Sequence, residues 1–248
     1  MPLAALLERL ETPALADTFL MRLPQEARDA LLADASILEV PSRLVIFGLT
    51  ERPRAGVMVR GLARTYLAAR DGRQLTLGYL RDGDFVGSLA QSTAERTPLI
   101  VAAVTDCLLV EIDIGMLLDL VRTDARVGAA LVTEITVRLQ DSYAALAANT
   151  LGSMHERVAW HLLDLATEVP ADGRCIASVT QQQLADHVGT AREVVARVLR
   201  ELREAGIVLT TKGQLEITDP ARLAAIAGRK SSPVFQGEAP RQLARIAN

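Results

Sequence analysis

Apolar positions recur along this 248-residue chain with more than one period, and the changes of period divide it. At the start, Leu3, Leu6, Leu7 and Leu10 follow helical spacing, and the pattern breaks at Pro24. From about Ile37 the runs become short and β-rich, as in LVIF, GVMVRG, ARTYLAA, QLTLGYL, LIVAAV and CLLVEI. The turn segments RPRAG, RDGR and RDGD separate them. Strands this short and this regularly spaced predict an antiparallel barrel or jelly roll. After Asp113 turn residues almost vanish, and one long helical segment is expected up to about Asn149. Within it Val132, Ile135, Leu139, Ser142, Leu146 and Asn149 alternate steps of three and four, the spacing of a coiled-coil seam. A helix packed only on its own barrel would also carry an apolar stripe. The polar members Ser142 and Asn149 favour a seam between two copies, because such residues fix register at some cost in stability. The segment LGSMH interrupts the pattern as a hinge, and RVAWHLLDLA resumes it as an amphipathic helix ended by Pro170 and the turn ADGR.

The stretch VTQQQLADHVGTAREVVARVLREL, Val179 to Leu202, carries the most local information. Thr180 followed by Gln183 is a capping box, which predicts a helix from Gln181 that buries Leu184, Ala185 and Val188. Gly189 permits a sharp turn, and Thr190 followed by Glu193 reads as a second capping box. The helix it opens should run to about Ala205 and stop at Gly206. Two capped helices joined by a glycine turn form a helix-turn-helix. On a wheel of about 100° per residue, Val195, Val198, Leu199 and Leu202 form the core side of the second helix. Glu193, Ala196, Arg197 and Arg200 lie opposite, with Arg192 at the edge. Arginine can donate two hydrogen bonds to guanine, and a carboxylate can accept from the cytosine amino group. A solvated charged face with Glu193 serving only as a cap would show the same pattern. GIVLTTKGQLEIT then reads as a hairpin turning near Lys212, a wing on which Lys212, like Arg200 on the helix, is placed to meet phosphate.

The fold class expected is therefore α+β. N-terminal helices and a β-roll (jelly roll) occupy residues 1–113, a dimerisation helix and hinge 114–152, a winged helix-turn-helix 153–228, and a flexible tail 229–248.

A binder of nucleic acid is not expected to be acidic, yet the formal net charge is -3. Charge is unevenly divided: residues 1–154 hold 15 Lys+Arg against 19 Asp+Glu, and the remainder holds 12 against 11. Screening limits the phosphate interaction to roughly 8–10 Å, so local cationic surface matters more than the total. Apolar runs such as Leu99 to Val104 are too short for a membrane span, and the acidic MPLAALLERLE lacks the basic start of a signal peptide. A soluble, cytoplasmic protein is expected. Cys107 and Cys175 lie far apart, and His155, His161 and His187 have no ligand-type spacing, so no metal site is expected. A cupin-like enzyme is the remote alternative. It needs a histidine and carboxylate cluster on the strands, and residues 37–112 contain no histidine.

With barrel, long helix, hinge and winged helix in this order, residues 15–228 resemble the family of the cyclic-AMP receptor protein and the fumarate and nitrate reduction regulator. The match is most specific in TQQQLADHVGTAREVVARVLREL. GYLRDGDFVGSL is similar to the family's pocket lip and VRLQDS to its dimer helix. The resemblance implies a homodimeric transcription regulator, not an enzyme, that reads a palindrome with TGTGA-like half-sites. It implies base contacts from Arg192, Glu193 and Arg197, phosphate contacts from Thr180 and Gln182, and RNA polymerase as a partner if the protein activates.

The resemblance further implies an effector pocket at Gly87, Ser88, Leu89, Arg96, Thr97 and Ser142. Cyclic-AMP-binding members carry a glutamate that holds the ribose hydroxyl, and Gly87-Ser88-Leu89 lacks it. Such a buried charge-assisted bond contributes about 1.5–3 kcal/mol. The implied ligand is an unidentified small molecule rather than clearly cyclic AMP. The clustered cysteines of an iron-sulfur branch are missing too. An effector-independent DNA binder controlled by its concentration is the alternative regulator.

Overall fold

A computed structural model describes residues 18–48, 55–87, 99–168, 175–211 and 214–229. The helical spacing from Leu3 to Leu10, most of RPRAG and all of the expected flexible tail but Arg229 lie outside the described residues. The chain divides into two compact units, residues 1–69 with 77–143 and residues 70–76 with 144–248.

Among the described residues the first unit begins with two short helices, α1 (Phe19–Arg22) and α2 (Gln25–Ala33), on either side of Pro24. Eight strands follow: β1 (Ser36–Val40), β2 (Val45–Phe47), β3 (Ala55–Arg60), β4 (Ala63–Ala68), β5 (Gln74–Leu80), β6 (Phe85–Gly87), β7 (Leu99–Ala103) and β8 (Cys107–Ile112). They form two four-stranded sheets ordered β1-β8-β3-β6 and β2-β7-β4-β5. The β8 pairings show how the layers arise. Leu38 pairs with Leu109 and Met58 with the same residue from the other side, antiparallel in both cases. Side chains alternate across a strand, so Cys107 and Leu109 enter the cluster with Met58, Val86 and Val101. Leu108, Val110 and Ile112 face the other way, where Phe19, Leu20 and Leu31 of the helices cover them. Both faces of β8 are thus buried, which is why CLLVEI is nearly continuous in apolar residues instead of alternating. At Gly56 of β3, a Cβ would stand 2.6 Å from Val110 O, so this close approach to β8 requires glycine.

The long helix expected after Asp113 is in fact two. Asp113 caps α3 (Ile114–Thr123), its side chain accepting from Met116 N, and α4 (Ala125–Leu151) follows after a break at Asp124. Asp124 has extended backbone angles and its carboxylate accepts from Arg126 N at 2.8 Å. A local side-chain acceptor of this kind competes with helix continuation, a signal that apolar spacing alone does not carry. Along α4 Val127, Ala130, Leu131, Glu134 and Val137 are buried, whereas Val132, Ile135, Leu139, Tyr143 and Leu146 are exposed. Glu134 is 1 % exposed between two guanidiniums, Arg22 at 2.6 Å and Arg138 at 3.0 Å.

The second unit takes residues 70–76 and resumes within α4. Ser153, in the segment expected as a hinge, caps α5 (Met154–Leu165) in a full capping box with Glu156. The helix ends earlier than Pro170, because Ala166–Glu168 leaves it as strand β9 to pair with β10 (Cys175–Ala177). Strands β11 (Val208–Thr211) and β12 (Gln214–Ile217) complete a sheet ordered β11-β12-β10-β9, and α6 (Gln181–Val188), α7 (Arg192–Glu204) and α8 (Pro220–Ile226) pack on α5, with α7 also against β11. Arg229 pairs with Asp164 at 2.6 Å and lies 4.8 Å from the centre of the Trp160 ring. Fully buried Leu162, Leu163, Leu184 and Leu199 form the centre of this unit.

Because Leu109 packs within the sheet interior at 1 % exposure, Leu109→Ala should destabilise the first unit by about 2–5 kcal/mol. Urea unfolding followed by tyrosine emission would register that loss.

Candidate nucleic-acid interface

Helix α6 starts as its sequence demands. Thr180 Oγ1 accepts from Gln183 N at 3.2 Å, and Gln183 Oε1 accepts from Thr180 N at 2.9 Å. Leu184, Ala185 and Val188 are buried. Gly189 sits in the left-handed region with φ 72°, and its N–H, like that of Thr190, donates to Ala185 O. Glycine is favoured there because a side chain would be strained.

Helix α7 begins one residue later than expected. Its N-cap is Ala191, with no side-chain cap bond, so Thr190 and Glu193 do not form a capping box. Thr190 N closes the preceding helix onto Ala185 O, which commits this residue to the turn. Glu193 therefore occupies the second helical position, where a carboxylate favours the helix dipole without capping it. The stop is as expected: Ala205 is the C-cap and Gly206 has φ 70°.

The two sides of α7 separate cleanly. Val195, Val198, Leu199 and Leu202 are buried, while Arg192, Glu193, Arg197 and Arg200 are exposed and Ala196 is half-buried between them. One exposed helix face thus brings together the three residues expected to meet bases and one expected to meet phosphate. Thr180 and Gln182 are also exposed, at the start of α6, and the Gln182 amide donates to Asp186 Oδ1 at 2.9 Å. Arg203 donates to Thr210 Oγ1 at 3.1 Å and so ties α7 to the wing strand β11. Thr211 pairs with Gln214 across the hairpin tip, and Lys212 lies outside the described residues.

Beyond the expected set, the same helix carries Glu201, to which His155 Nε2 of α5 donates. That bond, followed by the positive charges of His155, Arg197 and Arg200, holds the Glu201 carboxyl below its ordinary range. His155 and Glu201 lie 46 positions apart, so no local spacing rule could pair them.

Of the expected effector residues, Gly87 is exposed at the end of β6 and Ser142 is half-buried on α4. Ser88, Leu89, Arg96 and Thr97 lie outside the described residues. Asn149, expected as a polar member of the seam, is turned to its own chain. Asn149 is 6 % exposed, and its amide is engaged by Thr76 O and His161 of the same chain, so it does not belong to the exposed stripe. Helical spacing places a residue on a face but cannot tell which part of its own chain covers that face. Among the described residues no group of three or more His, Cys, Asp or Glu side chains could hold a metal ion. Cys107 and Cys175 are buried and form no disulfide, and burial pushes the Cys107 thiol up to about 11. No helix among the described residues is long and apolar enough to cross a membrane.

Comparison with known proteins agrees with both units. Residues 38–124 match the cyclic nucleotide-binding domain and residues 156–226 the Crp-like helix-turn-helix domain. The chain is 30 % identical over 159 residues to the cAMP-activated global transcriptional regulator Vfr of Pseudomonas aeruginosa, covering 61 % of this chain and 74 % of that one. It is 27 % identical over 184 residues to the cAMP-activated global transcriptional regulator CRP of Salmonella typhimurium, covering 71 % and 87 %. Among solved structures, the c-di-GMP responsive global regulator CLP of Xanthomonas campestris matches with TM-score 0.60 and 26 % identity over 78 % of this chain and 99 % of that one. A transcriptional regulator of the crp/fnr family from Eubacterium rectale has the same fold, with TM-score 0.67 and 23 % identity over 88 % and 98 %. A winged helix-turn-helix joined to a cyclic nucleotide-binding type of β-roll defines a transcription regulator with a DNA-binding and an effector-binding domain. The chain belongs to the Crp/Fnr family of such regulators.

The cap geometry predicts unequal effects at two threonines. Thr180→Ala should cost about 0.5–2 kcal/mol in chemical denaturation, and Thr190→Ala no capping energy. The Glu201 contact predicts that His155→Ala raises the Glu201 titration midpoint seen by NMR, because removing the donor withdraws the main support of the ionised form. In the parent protein that support is present at neutral pH and is lost as pH falls through the lowered midpoint.

Proposed function

We propose that the protein is a cytoplasmic homodimer that binds a palindromic DNA site with TGTGA-like half-sites, gated by a small molecule in the β-roll. In this reading residues 1–113 form the sensor, 114–152 the dimer helix and hinge, and 153–228 the reading domain, with 229–248 as a tail. The observation that carries it is the exposed face of α7, where Arg192, Glu193 and Arg197 stand opposite a fully buried apolar side. Arg192 and Arg197 donate to guanine edges, Glu193 accepts from a cytosine amino group, and Thr180, Gln182, Arg200 and Lys212 hold the phosphates. Without a cap to serve, the Glu193 carboxylate is available for such a donor.

The exposed stripe of Val132, Ile135, Leu139 and Leu146 supports dimerisation through α4, since an apolar row of this length is seldom left to water. Two copies would present their α7 helices about one DNA turn apart. RNA polymerase is the further partner if binding activates.

The effector is a distinct question. The relatives named above include cAMP-activated regulators and one responsive to c-di-GMP, so similar chains answer to different nucleotides. Ser88 stands where the cyclic-AMP-binding pattern has a ribose-holding glutamate, which favours a ligand other than cyclic AMP. Effector-independent binding is the second reading, favoured by the same missing carboxylate.

Arg197→Ala should cost about 1–3 kcal/mol per half-site and flatten base preference in fluorescence anisotropy, with sedimentation still reporting a dimer. Retained specificity in that variant would refute the reading helix. Tight operator binding by ligand-free protein, unchanged by cyclic AMP or cyclic di-GMP, would favour the effector-independent reading.

A further inference from the structure

Three buried polar side chains in the second unit have no role in the contacts proposed above. Thr76, Asn149 and His161 are 0 %, 6 % and 0 % exposed. They come from the start of β5, the end of α4 and the middle of α5, and all three fall in the second unit. Their hydrogen bonds run in one direction. His161 Nε2 donates to Asn149 Oδ1 at 3.0 Å, Asn149 Nδ2 donates to Thr76 O at 3.0 Å, and Thr76 Oγ1 donates to His187 O at 2.8 Å. The Asn149 amide can serve both neighbours in only one orientation. Its nitrogen must face the carbonyl, so its oxygen faces the ring and the ring proton sits on Nε2.

The end of this chain is the last turn of α6. His187 and Val188 are its final two residues, whose carbonyls have no partner within the helix. His187 O receives Thr76, and Val188 O receives Arg157 Nη2 of α5. The backbone of Gln74 closes the same corner, with its carbonyl 3.4 Å from the place a Cβ would take on Gly189. Groups from α4, β5 and α5 therefore hold the turn from which α7 departs.

Buried polar side chains are costly unless matched, and apolar residues could fill the same space. A fully matched set specifies one geometry more sharply than apolar packing does. We infer that Thr76, Asn149 and His161 are positioning residues for DNA recognition, which fix the C-terminal turn of α6 and hence the exit direction of α7. The inference rests on α7 being the reading helix. These residues touch no base or phosphate in this scheme and act only through the turn.

The test compares Thr76→Val, which keeps the shape and loses the donor, with Thr76→Ser, which keeps the donor. Operator Kd is measured by anisotropy and corrected for the active dimer fraction by stoichiometric titration. Thr76→Val should weaken the corrected Kd about tenfold, the scale of one lost buried hydrogen bond, while Thr76→Ser stays near the parent value. A purely structural role would lower the melting temperature and active fraction and leave the corrected Kd unchanged, and that result overturns the inference. Equal losses in the Ser and Val variants would overturn it as well. If Thr76→Val does not fold, Asn149→Leu carries the same comparison, and failure of both to fold makes the cluster a requirement of the fold instead. Arg197→Ala separates the two levels. Loss of specificity in Arg197→Ala together with an unchanged corrected Kd in Thr76→Val sinks the positioning role alone, whereas no loss in Arg197→Ala removes the reading helix itself.

Discussion

Helices α6 and α7 meet at one tight turn, which must satisfy its backbone within a few residues. A helix that stops abruptly leaves carbonyls without partners, and a turn as short as Gly189 to Ala191 offers little chain to supply them. Here the turn uses its own amides for Ala185 O and borrows a hydroxyl for His187 O and a guanidinium for Val188 O. The borrowed donors are distant in sequence. The reading domain is consequently more than the segment that resembles a helix-turn-helix, since residues 70–76 and the end of α4 belong to the same compact unit.

That arrangement explains what was legible in the sequence. Capping by Thr180, the glycine turn, the buried stripe of α7 and the β-rich runs are encoded by neighbours within a few positions, and local rules recovered them. Asn149 and Thr190 were misplaced for a shared reason: each had a plausible local role and a stronger partner elsewhere. Asn149 fits a heptad position but is taken by Thr76 and His161. Thr190 fits a cap but its amide is taken by the preceding helix. The break at Asp124 escaped because apolar spacing continues through it, while the acid that interrupts the helix binds its own neighbour. The short strand β9 escaped because three residues at the end of an amphipathic run carry no period of their own.

The charge pattern follows the same division. Residues 1–154 hold the surplus of acid, and some of these acids are paired: Glu134 with Arg22 and Arg138, Asp119 with Arg122, Asp124 with Arg126. The arginines of α7 are on an exposed face with Glu201 as a neighbour that His155 already engages. A polyanion approaching that face would meet local positive potential whatever the sign of the whole chain.

The packing of Trp160 under Arg229 has a practical corollary in optics. It is the one tryptophan of the chain, 4 % exposed, and it lies in the second unit. The three tyrosines, Tyr66, Tyr79 and Tyr143, all fall in the first. Excitation at the red edge of the tryptophan band, where tyrosine does not absorb, therefore reports on the second unit alone without any added label.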